Sequence, residues 1–320
     1  MKSLFLNCLV LLCCQLTFAQ TQQVILDTDL DSDVDDVGAM AMLHTLADHG
    51  RVEILGIIVS SDDLHAPQCA DAINHYFKRP HIPIGVEKGI ELNEFSKYTK
   101  ALSQTFPHRL ERYEDAEDAG RLYRKLLAQE ADGSVTIVTI GHLTNLMHLI
   151  QSDPDDISEL SGLELVRKKV KLWACMGGQF PEGKEANFYR PDPESTLITV
   201  GQWPGKVIFS GWEIGNDIIT GGEYLKKSLS PDSPVYQAYQ LYNNFSGRQS
   251  WDQSILLYLI SPNSYWELSP EGKAIVHEDG SNAWKEGEGG QQQYLIANTP
   301  PTEVAKILDA LMVGQYRPGY

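Results

Sequence analysis

Six aspartates, at 27, 29, 31, 33, 35 and 36, fall within ten positions of VILDTDLDSDVDD (24–36), directly after Val24, Ile25 and Leu26. The apolar triplet reads as a short buried strand and the residues past the aspartates as a helix, so the carboxylates crowd the carboxyl end of a strand. Side chains this dense repel one another unless a cation gathers them, and oxygen donors favour Ca²⁺ or Mg²⁺ over Zn²⁺. Aspartate is common at helix N-termini, but six exceed what capping uses. An EF-hand loop fails on register. Begun at Asp27 it puts Ser32 where Gly is required and Gly38 where a bidentate Glu is required; begun at Asp29 or Asp31 it puts Met40 or Met42 at that last position. The segment is therefore read as a cation site.

Upstream, residues 1–19 have the form of a secretory signal: Lys2, an apolar run over 4–16, then Thr17-Phe18-Ala19 before Gln20. The expectation is a signal peptide over 1–19 and one mature domain over 20–320, exported to the periplasm or the extracellular space and soluble. The apolar run is short for a membrane span, and Leu12 before Cys13 argues against a lipoprotein signal. Cys8, Cys13 and Cys14 leave with the signal; Cys69 and Cys175 remain in apolar surroundings and read as buried thiols, with no disulfide assumed. The formal charge of −17, with no stripe of Lys or Arg, disfavours nucleic acid polymers and anionic membranes as partners.

Beyond the aspartates, strand and helix patterns alternate. Helices are expected over 37–47, 67–77, 116–131, 144–150, 192–200, 234–243, 251–260 and 302–312, and strands over 52–59, 82–86, 135–140, 170–176 and 207–209. Two or three further strands are expected between 265 and 296. The polar stretch 87–112 reads as a lid, in which Phe95, Tyr98 and Phe106 serve either as loop anchors or as a second aromatic over the site. Tyr236, Tyr239 and Tyr242, spaced by three, read as a core-facing stripe. The fold class is α/β: a single domain with an open, mostly parallel sheet, right-handed crossovers and helices on both faces. Ligands of such sheets sit outside the carboxyl ends of the strands, which here are 29–36, 60–63, 140–145 and 177–187, with Asp252 available to complete the ring.

In this order and at this spacing, ILDTD followed by DDVGAMAML, IVTIGHLTNL, MGG followed by EANFYRPDPES, and the late Asp252 resemble the inosine-uridine preferring nucleoside hydrolase family. These are calcium enzymes that hydrolyse the N-glycosidic bond of ribonucleosides, and the resemblance covers nearly the whole mature chain. It implies a nucleoside hydrolase-like domain, Ca²⁺ as cofactor, a small nucleoside as substrate, a homo-oligomer, and neither nucleic acid binding nor membrane insertion after signal cleavage. It further implies that Asp29 binds metal and activates the attacking water. Asp36, the backbone carbonyl of Ile140 and Asp252 complete the metal shell, while Asp35, Glu185 and Asn187 hold the ribose. Asp63 and Gln179 are additional substrate-binding candidates.

Three departures qualify that picture. The aspartate loop is two residues longer than the family's Asp-x-Asp-x-x-x-Asp-Asp, so Asp31 and Asp33 stand as alternative or extra ligands. The usual Asn after the second strand is replaced around Asp62 and Asp63. Inosine-uridine enzymes carry a proton-donating His before the late Asp, where this chain has Trp251. Purine-specific members resemble it in placing Trp there, to stack on the base and raise its basicity. The expectation is thus release of ribose and free base from purine nucleosides, a purine salvage reaction, with Trp251 as a catalytic residue; core packing is the structural alternative for that side chain. Two other readings remain, a hydrolase of a different N-riboside and a calcium-stabilised binding protein that has lost leaving-group activation. A haloacid-dehalogenase-like phosphatase, suggested by Asp27-Thr28-Asp29, fits poorly because Leu30-Asp31 follows.

Overall fold

Val24, Ile25 and Leu26 are fully buried, so the strand that carries them must be covered on both faces, as the middle strand of a parallel sheet is. The computed structural model describes residues 21–262, 264–287 and 289–318. The signal expected over 1–19 lies outside the described residues. Among them, no helix is long and apolar enough to cross a membrane.

Fourteen strands are present among the described residues: β1 (Gln22–Thr28), β2 (Val52–Val59), β3 (Ile84–Val86), β4 (Glu117–Asp118), β5 (Val135–Thr139), β6 (Val170–Met176), β7 (Glu182–Gly183), β8 (Val207–Ser210), β9 (Ile219–Thr220), β10 (Arg248–Gln249), β11 (Trp266–Leu268), β12 (Gly272–Val276), β13 (Asn282–Glu286) and β14 (Gln292–Ala297). The main sheet runs β4-β3-β2-β1-β5-β6-β8-β14-β12-β13-β7, with β11 paired to β14 and a separate ribbon of β9 and β10. β1 is parallel to both β2 and β5, and the parallel pattern continues out to β4 on one side and through β8 to β14 on the other. From there β12, β13 and β7 add an antiparallel edge.

That edge is where the sequence expectation falls short, with four strands between 265 and 296 instead of two or three. β12 and β13 are joined by a tight turn in which Gly280 takes a φ of +77°, and their pattern is broken by glycine and charge, which hides a half-exposed hairpin from a periodicity reading. Helix limits shift for similarly local reasons. The helix expected from 116 runs Ala119–Gln129, because the Asp118 side chain caps it by accepting from the Arg121 N–H at 2.8 Å. Cys69 and Cys175 are both buried free thiols.

The stretch 87–112 is tied down from within. It contains the helix Thr99–Thr105, and Tyr98 is fully buried, its hydroxyl donating to the Asp33 carbonyl at 2.5 Å. Tyr98 is an anchor of the loop. Phe95, by contrast, stays half exposed.

Helices Asp35–Asp48, Trp251–Ile260 and Pro301–Met312 pack together on one side of the sheet. The first meets the other two at Gly38, where a Cβ would lie 2.4 Å from Gln253 Nε2, 2.6 Å from the Tyr239 hydroxyl and 2.7 Å from Met312 Sδ. Alanine normally favours a helix over glycine by about 1 kcal/mol, but here its methyl has no room. Gly38→Ala is therefore expected to lower the unfolding free energy by about 1–3 kcal/mol, read as a lower denaturant midpoint at unchanged slope; a higher midpoint would show that the contact yields without cost.

Candidate active site

Of the helices that meet at Gly38, two carry aspartates in their first turns, Asp35 and Asp36 on one and Asp252 on the other. Helix packing so brings carboxylates separated by over two hundred residues into one cluster. One oxygen from each of Asp35, Asp36 and Asp252 lies within 4.8 Å of the other two, and all three residues are buried. The Asp252 N–H points to Asp35 Oδ2 at 3.4 Å, while Thr28 Oγ1 donates to Asp36 Oδ1. Two helix N-termini aim their partial positive charge at the cluster, a modest compensation for the desolvated anions.

Asp29 lines the same cavity. Burial first, and the nearby Asp36 second, push its carboxyl well above the usual range. Burial does the same to Asp36 and Asp252, in each case reinforced by Asp35. Asp35 is raised to about 7, by burial and then by Asp33. Among the described residues lining the cavity, the only opposing charge on these four acids is that of Arg248, which lowers Asp35. An all-oxygen set of carboxylates, with no thiolate or imidazole among them, fits a hard divalent cation.

The cavity over this cluster measures about 240 Å³ and is assembled from loops at the carboxyl ends of β1, β5, β6 and β8 together with the segment that enters helix Trp251–Ile260. Ile140 is held beside β1 by its own N–H, which donates to the Asp27 carbonyl at 2.8 Å. Its carbonyl accepts from Asn187 Nδ2 at 3.1 Å. Glu185 takes the N–H groups of Gly178 and Asn187 at 2.9 and 2.8 Å, and burial raises its carboxyl to about 7. Glu185, Asn187 and Ile140 all line the cavity. An adjoining cavity of about 440 Å³ shares Asp29, Ser32, Asp33, Ala186 and Asn187 with the first and extends past Asp62, Glu87 and Arg190.

Two expected substrate contacts are not brought there. Asp63 faces the lid, accepting from Thr99 Oγ1 at 2.7 Å, from the His65 N–H at 3.0 Å and from the Phe95 and Ser96 N–H groups at 3.3 and 3.2 Å. Its carboxylate is saturated, and Asp62 lines the larger cavity instead. Gln179 is engaged with the antiparallel edge: its N–H donates to Asn282 Oδ1 at 3.0 Å, its carbonyl accepts from Asn282 Nδ2 at 2.8 Å, and its side-chain oxygen accepts from the Lys184 N–H. Of the two extra aspartates, Asp31 lines the larger cavity, and Asp33 lines both while bound to Arg248 at 2.6 Å and to the Tyr242 hydroxyl at 2.8 Å.

Trp251 lines the smaller cavity while also packing on the core, and its Nε1 donates to the Trp212 carbonyl at 2.9 Å. Trp212 and Arg248, which also line it, escaped the sequence reading. Trp212 follows β8, so the rule that ligands gather at strand carboxyl ends could have found it. Arg248 carries no motif.

No curated protein matches the chain in sequence. Among solved structures, a plant nucleoside hydrolase is 19% identical with a TM-score of 0.67, covering 91% of this chain and 99% of its own. An inosine-uridine preferring nucleoside hydrolase from Bacillus anthracis is 18% identical with a TM-score of 0.67, covering 92% and 100%. A purine-preferring ribonucleoside hydrolase from Gardnerella vaginalis is 15% identical with a TM-score of 0.68, covering 92% and 98%. At such identities the likeness is one of fold. The family model described as "Inosine-uridine preferring nucleoside hydrolase" matches residues 24–309, from the first buried residue of β1 to the closing helix. That span includes every carboxylate of the cluster, and with it the chain belongs to the inosine-uridine preferring nucleoside hydrolase family, a family of N-glycosyl hydrolases.

Proposed function

We propose that this protein is an exported, calcium-dependent hydrolase that splits purine ribonucleosides into ribose and free base. The observation that carries the reading is the meeting, in one cavity, of a buried carboxylate cluster and the indoles of Trp251 and Trp212. The first suits a sugar that gains positive charge, the second a flat base that leaves. Together the two adjoining cavities reach the range of about 300–1,000 Å³ usual for small-molecule sites. Export rests on the charged, apolar and small-residue pattern of 1–19.

Asp36, Asp252, Asp29 and the Ile140 carbonyl are the groups suited to hold the cation. A bound Ca²⁺ supplies positive charge that orients ribose hydroxyls and acidifies water. Asp29 accepts the proton of the attacking water, and Asp35, Glu185 and Asn187 hold the ribose by hydrogen bonds. As the bond to the base stretches, positive charge on the sugar is stabilised by the surrounding carboxylates. The aromatic walls of Trp251 and Trp212 exclude water from the base and favour the larger purine ring. The 440 Å³ annex favours a second reading, an N-riboside bearing a further group; cleavage of such a compound beside intact inosine, adenosine and guanosine would select it.

The purified mature protein is expected to release free base from inosine, adenosine and guanosine faster than from uridine or cytidine, and to stop when a chelator is added. Asp29→Asn should fold normally by circular dichroism yet lose about 10²–10⁴-fold in turnover; a rate near that of the parent would remove Asp29 as the base.

The carboxylate cluster also sets a pH dependence. In the unfolded chain Asp35 has its ordinary pKa of 3.8, and in the folded chain without cation about 7. A raised acid stabilises the fold below its unfolded pKa, and that contribution is lost as pH rises through the folded one. Cation-free protein should therefore lose stability between about pH 4 and 7, while the gain in Tm on adding Ca²⁺ should grow across the same window. At a free Ca²⁺ of about 100 times Kd the gain corresponds to about 2.7 kcal/mol. Melting curves from pH 4 to 8, with and without Ca²⁺, test this; a pH-independent gain would contradict binding by these acids.

A further inference from the structure

Among the described residues lining the smaller cavity, Arg248 carries the only positive charge, against the carboxylates of Asp29, Asp33, Asp35, Asp36, Glu185 and Asp252. It sits in β10, whose pairing with β9 gives it a firm base. Its guanidinium lies over the Trp251 ring, 4.9 Å from Cζ to centroid. Asp33 holds it there through Nη2 at 2.6 Å. Asp33 is itself fixed, its other carboxylate oxygen accepting from the Tyr242 hydroxyl at 2.8 Å and its carbonyl from the Tyr98 hydroxyl at 2.5 Å. Asp33 belongs to the loop that is two residues longer than the family pattern. The extension thus ends in a clamp on Arg248.

The pair with Asp33 takes up only part of the guanidinium. Of five N–H donors in an arginine, one goes to Asp33, Nη1 reaches Gln249 Oε1 at 3.3 Å, and Nε has no acceptor. Nε is buried, but the residue lines the cavity beside Trp251, where a departing base would meet it.

We propose that Arg248, positioned by Asp33, contacts the base and stabilises it as it leaves, a role that rests on the nucleoside hydrolase reading above. When the C1′–N bond breaks, its electron pair passes to the base nitrogen, and the guanidinium opposes the negative charge through charge-assisted hydrogen bonds. Arg248 keeps its protons, since a guanidinium does not deprotonate in proteins. The water oxygen adds to C1′, the water proton goes to Asp29 and on to solvent, and the base takes a proton from solvent, which balances the reaction. Arg248 is thus assigned a catalytic part and Asp33 a positioning one.

The test compares inosine with p-nitrophenyl β-D-ribofuranoside, whose phenolate leaves as a stable anion without assistance, in the Ca²⁺-loaded full mature protein. Arg248→Met should lower kcat for inosine by about 10²–10³-fold and change the aryl riboside far less. Arg248→Lys should recover part of the inosine rate, because it keeps the charge. Asp33→Asn should shift the ratio of the two substrates in the same direction as Arg248→Met, which a loss of stability alone would not do. Equal losses on both substrates, or no loss on inosine, would overturn the role of Arg248. If the parent protein cleaves the aryl riboside but no nucleoside, the base-leaving role fails and only riboside hydrolysis stands; if it cleaves neither, the functional reading fails with it.

Discussion

Four buried carboxylates gathered about one cavity repel each other, and the rest of this structure is arranged around that cost. The repulsion at such distances is several kcal/mol even at an effective dielectric near 20, and two helix N-termini offset only part of it. The burial that raises Asp29, Asp35, Asp36 and Asp252 makes the cluster a site that gains from a divalent cation. In the proposed reaction the same crowding would serve chemistry on a sugar, because charge developing on the ribose would find anions already in place.

What keeps the carboxylates together is apolar packing away from them. Gly38 lets helix Asp35–Asp48 lie against Gln253, Tyr239 and Met312 without a side chain between, and Ile140 is registered against β1 by a backbone hydrogen bond. The aromatic part of the cavity is built from later parts of the chain, Trp212 after β8 and Trp251 beside Asp252 at the head of its helix, joined by one indole hydrogen bond. The added residues of the aspartate loop reach this part through Asp33 and Arg248. The longer loop is therefore expressed as a positive charge held over Trp251.

Asp63 and Gln179 show how neighbouring positions can divide their labour. Asp62 and Asp63 sit together after β2, yet Asp62 lines a cavity while Asp63 ties the lid through Thr99 and the backbone amides of Phe95 and Ser96. Successive side chains in extended backbone point to opposite sides, so choosing between them needs the course of the loop that crosses above. Gln179 likewise follows β6 at the right end of the sheet, but the antiparallel edge recruits it through Asn282.

The sequence by itself determined the alternating order of strands and helices, the parallel core of the sheet and its ligand-binding end, because runs such as Val24-Ile25-Leu26 and VTIVTI follow a local periodicity that burial imposes. It also marked the aspartate run as in need of a cation, since like charges at that density repel in any fold. The antiparallel hairpin of β12 and β13 was less legible, its strands half exposed and broken by glycine. Only the tertiary structure decided which aspartates meet: Asp252 joins Asp35 and Asp36 through the crossing of two helices, Asp33 turns to Arg248, and Asp63 turns to the lid. These are contacts between residues far apart in the chain, set by how whole helices and loops pack, and no local pattern encodes a distance across the fold.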